Sequence, residues 1–186
     1  MKKIITMVVF IFISSLLIAE EVESVENVIP QEVIESNVIN FKFDSIKINM
    51  STKEFLRLYP KATKVEGEPE VDTCFYKVST KSCKDVSVAS YNGKIYAIIV
   101  NYSPTEIERL GGSTYIGFQL VQRFGPDRQT SLTEEGDIAF VYYFNEIQYT
   151  LAYTFNVGEL AVLIVRNDKV YEEVQNELRK SASLGF

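Results

Sequence analysis

The sequence predicts an α+β fold: antiparallel sheets with helices packed on one face, built as two tandem helix–β-meander repeats and finished by a C-terminal helix. Three observations carry this. Capped helix starts stand at Ser51 and Ser103. Short β-prone runs, separated by turn residues, follow in two groups of three. The pattern recurs at a shift of 65 residues.

The first helix opens at Asn49-Met50-Ser51-Thr52-Lys53-Glu54-Phe55. Ser51 and Glu54 form a capping box, and Met50 and Phe55 occupy the staple positions around it. Leu56 and Leu58 continue the helix to Tyr59, and Pro60 stops it. Upstream, Phe41, Phe43, Ile46 and Ile48 read as an entering strand. Thr73–Val78, Lys84–Ser90 and Lys94–Tyr102 read as strands, with Asn92-Gly93 as the hairpin turn between the last two. A second box, Ser103-Pro104-Thr105-Glu106, starts a short helix that ends at Gly111-Gly112. A longer helix spans about Ser113–Phe124, with Ile116, Leu120 and Phe124 on one stripe, and ends at Gly125-Pro126.

Three more strands are expected at Ile138–Phe144, Ile147–Phe155 and Glu159–Arg166. The middle one alternates: Ile147, Tyr149, Leu151, Tyr153 and Phe155 face one way, and Gln148, Thr150, Ala152 and Thr154 the other. A last helix covers about Asp168–Ser181. At the 65-residue shift Tyr59 maps to Phe124, Phe75 to Phe140, Val86 to Leu151, Val88 to Tyr153, Gly93 to Gly158 and Ile99-Val100 to Ile164-Val165. One such unit is too small to cover both faces of a sheet, so two side by side make a better core.

Length and charge bound the function classes. The chain has 186 residues and a formal charge of −6, without the concentrated Lys/Arg surface that nucleic acid requires. It has no histidine. That removes the Ser-His-Asp and Cys-His nucleophile schemes and imidazole-based metal sites. No G-x-S-x-G, Ser-x-x-Lys or phosphate-loop pattern is present. Glu66, Glu68, Glu70 and Asp72, and Glu134, Glu135 and Asp137, read as solvated loop acids. Their spacing lacks the closing Glu of an EF-hand loop. No enzyme activity, cofactor or metal is expected.

Lys2-Lys3 followed by the apolar run Ile4–Ala19 reads as a secretory signal peptide (1–19), cleaved after Ala19. The other reading is a retained anchor, although 16 residues fall short of the ~20 needed to span a bilayer. Losing Lys2 and Lys3 takes the charge to −8. Six glutamates in residues 20–40 account for most of that, so 41–186 sum to −2. Residues 20–40 read as an acidic tether, with a docked strand or helix left open. The first repeat takes 41–102 and the second, with its connecting and C-terminal helices, 103–186. The expected location is periplasmic or secreted, with no membrane insertion once the leader is removed. Export permits disulfides, and Cys74 and Cys83, nine residues apart near a hairpin, read as one bridge.

Ile46 through Phe55, the Leu58-Tyr59-Pro60 stop, Tyr91-Asn92-Gly93-Lys94-Ile95-Tyr96, and Leu120 through Pro126 together resemble a known repeat. It is the helix-plus-sheet repeat of the β-lactamase-inhibitor-protein (BLIP) and BamE (SmpA/OmlA) group, over roughly residues 41–166. Asn49 stands where that family usually has Gly. The resemblance implies a non-catalytic protein-binding module of the bacterial envelope, gripping an envelope or extracellular protein with hairpin tips and an open sheet face. The tips here are Tyr91-Asn92-Gly93 and Asn156-Val157-Gly158. With 11 Tyr and 12 Phe in the chain, Tyr91, Asn92, Tyr96 and Tyr142 are the candidate partner-binding residues. The alternative is a small-ligand or lipid carrier with an aromatic-lined cavity.

Overall fold

A computed structural model of the chain describes residues 29–65, 71–125, 129–132, 137–156 and 161–183. The expected signal peptide, Glu20–Val28 of the expected tether, most of the loop acids and Val157-Gly158 lie outside the described residues.

Helix α1 (Gln31–Ile39) falls inside the stretch read as a tether. It docks because Val38 is fully buried in the core and the Asn37 side-chain amide donates to Arg123 O at 3.1 Å. The expected entering strand is a tight hairpin, β1 (Lys42–Phe43) and β2 (Ile46–Lys47), turned at Asp44 with φ +50°. Helix α2 (Thr52–Leu58) starts at the predicted cap: the Ser51 hydroxyl accepts from Glu54 N–H. Helix α3 (Pro104–Arg109) carries the complete reciprocal capping box of Ser103 and Glu106. Helix α4 (Ser113–Phe124) has the predicted bounds.

The large sheet has eight strands in the order β3-β4-β5-β6-β10-β9-β8-β7, every adjacent pair antiparallel. The strands are β3 (Thr63–Val65), β4 (Thr73–Val78), β5 (Asp85–Tyr91), β6 (Lys94–Tyr102), β7 (Gln129–Leu132), β8 (Ile138–Phe144), β9 (Tyr149–Phe155) and β10 (Ala161–Asn167). The α+β class and antiparallel sheet are as expected. The edge strands β3 and β7 are additional to the expected strands. Each is only three or four residues long and has no alternation long enough to detect. Two four-stranded meanders meet at β6 and β10, where Tyr102 faces Ala161 and Ala97 faces Arg166.

One face of this sheet carries the main core. Val38, Ile46, Phe55, Ile98, Leu151, Tyr153 and Val165 are each at most 1% exposed within it. Helices α1 to α4 all bury residues there. Gly117 lets α4 lie close to the strands: a Cβ there would meet the Phe140 ring at 3.3 Å. The Tyr153 hydroxyl, deep beneath α4, donates to Ser113 O at 3.0 Å. The two halves are tied directly where the Asn49 side chain donates to Tyr149 Oη at 3.1 Å.

The helices are not confined to one face. Helix α5 (Asp168–Ser183) crosses the opposite one, where Val174 packs with Ala89, Tyr96 and Ala97. The expectation of one helical face failed because α5 leaves β10 with an apolar stripe of its own, and small residues on β5 and β6 leave room for it.

Substitution at buried and exposed sheet positions separates the two faces. Leu151→Ala, at a fully buried position, is expected to lower unfolding free energy by about 2–5 kcal/mol. Phe75→Ala, where the ring is 40% exposed on the other face, should cost under about 1.5 kcal/mol. Urea unfolding of both variants checks the assignment.

Candidate functional site

The four residues singled out for partner binding do not form one surface. Tyr142 is 1% exposed and stacks on Phe144 in the main core, so it is a core residue and not a contact residue. Tyr96 is also buried, beneath α5 with Val174. Burial in that small apolar cluster pushes its phenol above the usual range. Tyr91 is half-exposed, but its hydroxyl donates to Glu177 of α5 at 2.7 Å. Only Asn92 stands free, exposed at φ +48° in the hairpin turn with Gly93. Three of the four therefore serve the protein's own packing. For Tyr91 and Tyr96 the strand positions give no sign of this, because the partner is a helix some 80 residues further on.

The disulfide is also corrected: Cys74 and Cys83 are both free. Cys74 faces Ser90 within the β4–β5 ladder, whereas Cys83 lies in the loop beyond the closing pair Val78 and Val86. Four strand residues separate the Cys74 level from that pair, roughly 13 Å at ~3.4 Å per residue. A bridge needs Cα atoms within about 7 Å. Cys83 is buried and its thiol lies 3.2 Å from Asn101 O and 3.5 Å from Glu106. Burial is the main reason its thiol is pushed up to about 11, with the Glu106 charge adding to it.

Cys83 belongs to a strapped loop, residues 79–84. Within it, Thr80 N–H donates to Cys83 O at 2.8 Å, and Cys83 N–H donates to Thr80 Oγ1 at 3.1 Å. Two carboxylates hold it from outside. Asp44, on the β1–β2 turn, accepts from the backbone and hydroxyl of Ser82. Glu106 accepts from Lys84 N–H, Ser103 N–H and the Ser103 hydroxyl, each at 2.8 Å. Arg109 donates to Ser82 O at 2.6 Å. Burial works to raise the Glu106 carboxyl, but the Ser103 and Lys84 backbone donors, then the Ser103 hydroxyl and Cys83 thiol, hold it down to about 2. The loop and the start of α3 enclose a hollow of about 370 Å³, lined by Thr80, Lys81, Lys84, Thr105 and Arg109 among others.

No family model, curated protein or solved structure matches this chain.

The second feature of the molecule is the sheet face that α5 partly covers. Three cross-strand rows run across it. The first is Phe75–Ala89–Ala97–Arg166–Thr150–Tyr143, where α5 packs on Ala89 and Ala97 and the end residues Phe75 and Tyr143 stay exposed. Arg166 lies over the Tyr171 ring at 4.0 Å and pairs with Asp168 at 2.8 Å. The next row, Ser87–Ile99–Ile164–Ala152–Val141, consists of five uncharged, half-buried residues, with exposed Lys77 opposite Ser87 at its β4 end. Asn101–Val162–Thr154 follows it. None of these last eight residues belongs to either packed cluster. Among the described residues no three His, Cys, Asp or Glu gather to hold a metal, and no helix is long and apolar enough to cross a membrane.

Two measurements test this geometry. A thiol count on denatured, unreduced protein should give two, and Cys83 should resist alkylation at pH 8 until the protein unfolds, since its thiol stays protonated there. A carboxyl whose proton affinity falls on folding adds stability above its ordinary value of 4.5 and loses it as pH drops toward about 2. Glu106→Gln is therefore expected to lower stability at pH 7 by about 1–3 kcal/mol and to flatten the acid limb between those two pH values. Thermal denaturation across that range shows both effects.

Proposed function

We propose that this chain is an exported, non-catalytic protein-binding module, periplasmic or secreted, whose contact surface is the open sheet face centred on Ile99 and Ile164. The observation that carries the reading is the half-buried apolar row Ile99–Ile164–Ala152–Val141, whose residues belong to neither packed cluster. Apolar surface in the middle of a sheet is the kind that protein interfaces use as a core. The Lys2-Lys3 and Ile4–Ala19 leader pattern supports export.

The reading of the chain as two copies of one unit draws support from the strand register. Ser87 faces Ile99 in the β5–β6 pair, and Ala152 faces Ile164 in the β9–β10 pair. Each residue of the second pair lies 65 positions after its counterpart. Ile99 itself faces Ile164, so a local dyad runs through the middle of the open row. The shift is not uniform. Tyr76 faces Val88 and Phe140 faces Tyr153, so Tyr76 and not Phe75 corresponds to Phe140.

The test is affinity capture from envelope and culture-supernatant extracts, comparing wild type with Ile164→Lys and with the paired change Tyr91→Ala, Asn92→Ala. The expected result is a reproducible partner whose retention falls at least about tenfold with Ile164→Lys and survives the hairpin-tip change, with an unchanged melting temperature. A partner insensitive to Ile164→Lys, or no partner in either fraction, rejects the sheet-face reading.

A further inference from the structure

The hollow beside the strapped loop has a chemistry of its own, distinct from the apolar sheet face. Lys81, Lys84 and Arg109 line it, and Glu106 is the one carboxylate that does so. Glu106 is already saturated: three donors at 2.8 Å and the Cys83 thiol occupy its oxygens. Asp44, the other acid close to the loop, is committed to Ser82. Neither carboxylate forms an ion pair with the three cations. Among the described residues no carboxylate lies within 4 Å of Lys81, Lys84 or Arg109, and the close pair Arg166–Asp168 is on the opposite sheet face. The lining thus keeps a surplus of two positive charges in a chain whose formal charge is −6.

We propose that this hollow binds a phosphate group, held by the side chains of Lys81, Lys84 and Arg109. The Ser103 and Thr80 hydroxyl protons are already given to Glu106 and Cys83 O, so the lining hydroxyl that supplies a neutral donor beside the cations is that of Thr105. A tetrahedral dianion can engage three cations and a hydroxyl together. A planar carboxylate offers one charge and fewer oxygens. The volume, about 370 Å³, falls in the lower range of small-molecule sites and leaves room beyond a lone phosphate for a small organic group carrying one. The frame is preorganised, because Lys84 N–H is fixed to Glu106 and Arg109 to Ser82 O before any ligand arrives.

The groups facing the site are Lys81, Lys84, Arg109, Glu106 and Cys83, with Asp44 and Asp85 behind the loop. Glu106 is held ionised and the Cys83 thiol protonated throughout the neutral range. A pH dependence near neutrality therefore comes from the ligand. Binding should strengthen from pH 6 to pH 8 as a phosphate gains its second charge, and weaken with added salt.

The experiment is titration of isotope-labelled full-length protein with inorganic phosphate and, separately, with glycerol 2-phosphate, followed by amide resonances. The expected result is saturable shifts confined to residues 79–84 and 103–109. Lys81→Gln and Lys84→Gln should each weaken the apparent affinity roughly tenfold, while Lys94→Gln at the distant hairpin leaves it unchanged. Arg109 also holds the loop, so Arg109→Lys serves as the third variant, read alongside its melting temperature. Tighter binding of glycerol 2-phosphate assigns the site to a phosphorylated organic molecule, and equal binding to free phosphate. Shifts that never saturate, that spread over lysines across the surface, or that persist unchanged in the folded Lys81→Gln, Lys84→Gln double variant overturn the proposal.

Discussion

The antiparallel pairing of β6 with β10 is the contact on which the rest of the structure depends. Each half offers four strands and short helices, too little to bury a two-sided sheet. Joining them through Tyr102–Ala161 to Ala97–Arg166 makes one eight-stranded surface. The core that results is shared: Ile98 and Val100 of one half, and Leu163 and Val165 of the other, are buried in the same cluster as Phe55 and Phe124. The Asn49–Tyr149 hydrogen bond and the Phe41–Phe124 ring contact cross between the halves over it. Separating the strands would expose both sides of the cluster at once, so the halves are expected to unfold together.

The polar chemistry follows from how the strand connections are closed. The β4–β5 loop sends only Cys83 into the core, and its backbone donors need partners. Asp44 comes from the β1–β2 turn and Glu106 from the first turn of α3. A capping residue that already accepts from Ser103 N–H is thereby used a second time, to fix Lys84. The low Glu106 pKa is a by-product of this double use. For the same reason Glu106 forms no ion pair with the nearby lysines, because its oxygens are taken by backbone and hydroxyl donors.

Local signals made most of the secondary structure legible. All six strands foreseen in the large sheet lie within two residues of their expected ends, and three match at both ends. Caps, the Asn92-Gly93 turn and period-two alternation act over a few residues and were all readable. The failures concern long-range geometry. Tyr91 and Tyr96 look alike in any strand pattern, and only the path of α5 decides that one is a latch and the other a buried packing residue. The spacing of Cys74 and Cys83 fits a bridge until the register places one in the ladder and the other past its end. The loop S-T-K-S-C-K at 79–84 carried a compositional signal, two lysines among hydroxyl residues. Its meaning depended on Arg109 and on where the carboxylates of Asp44 and Glu106 were engaged.

The placement of α5 explains why one sheet face is only partly covered. In the duplicated reading, α5 occupies the position that α3 holds after the first meander, since Pro104 shifted by 65 falls at Lys169. Helix α3 returns to the core side, where Ile107 is buried. Helix α5 takes the opposite face. Asp168 instead anchors it to the sheet by accepting from Thr150 at 2.6 Å and pairing with Arg166. The stripe Val170, Tyr171, Val174 and Leu178 then runs over Ala89, Tyr96 and Ala97. The cover ends one row short of Ile99 and Ile164. The second meander, with its following helix laid on the opposite face, thus produces both the row that α5 packs on and the open one beside it.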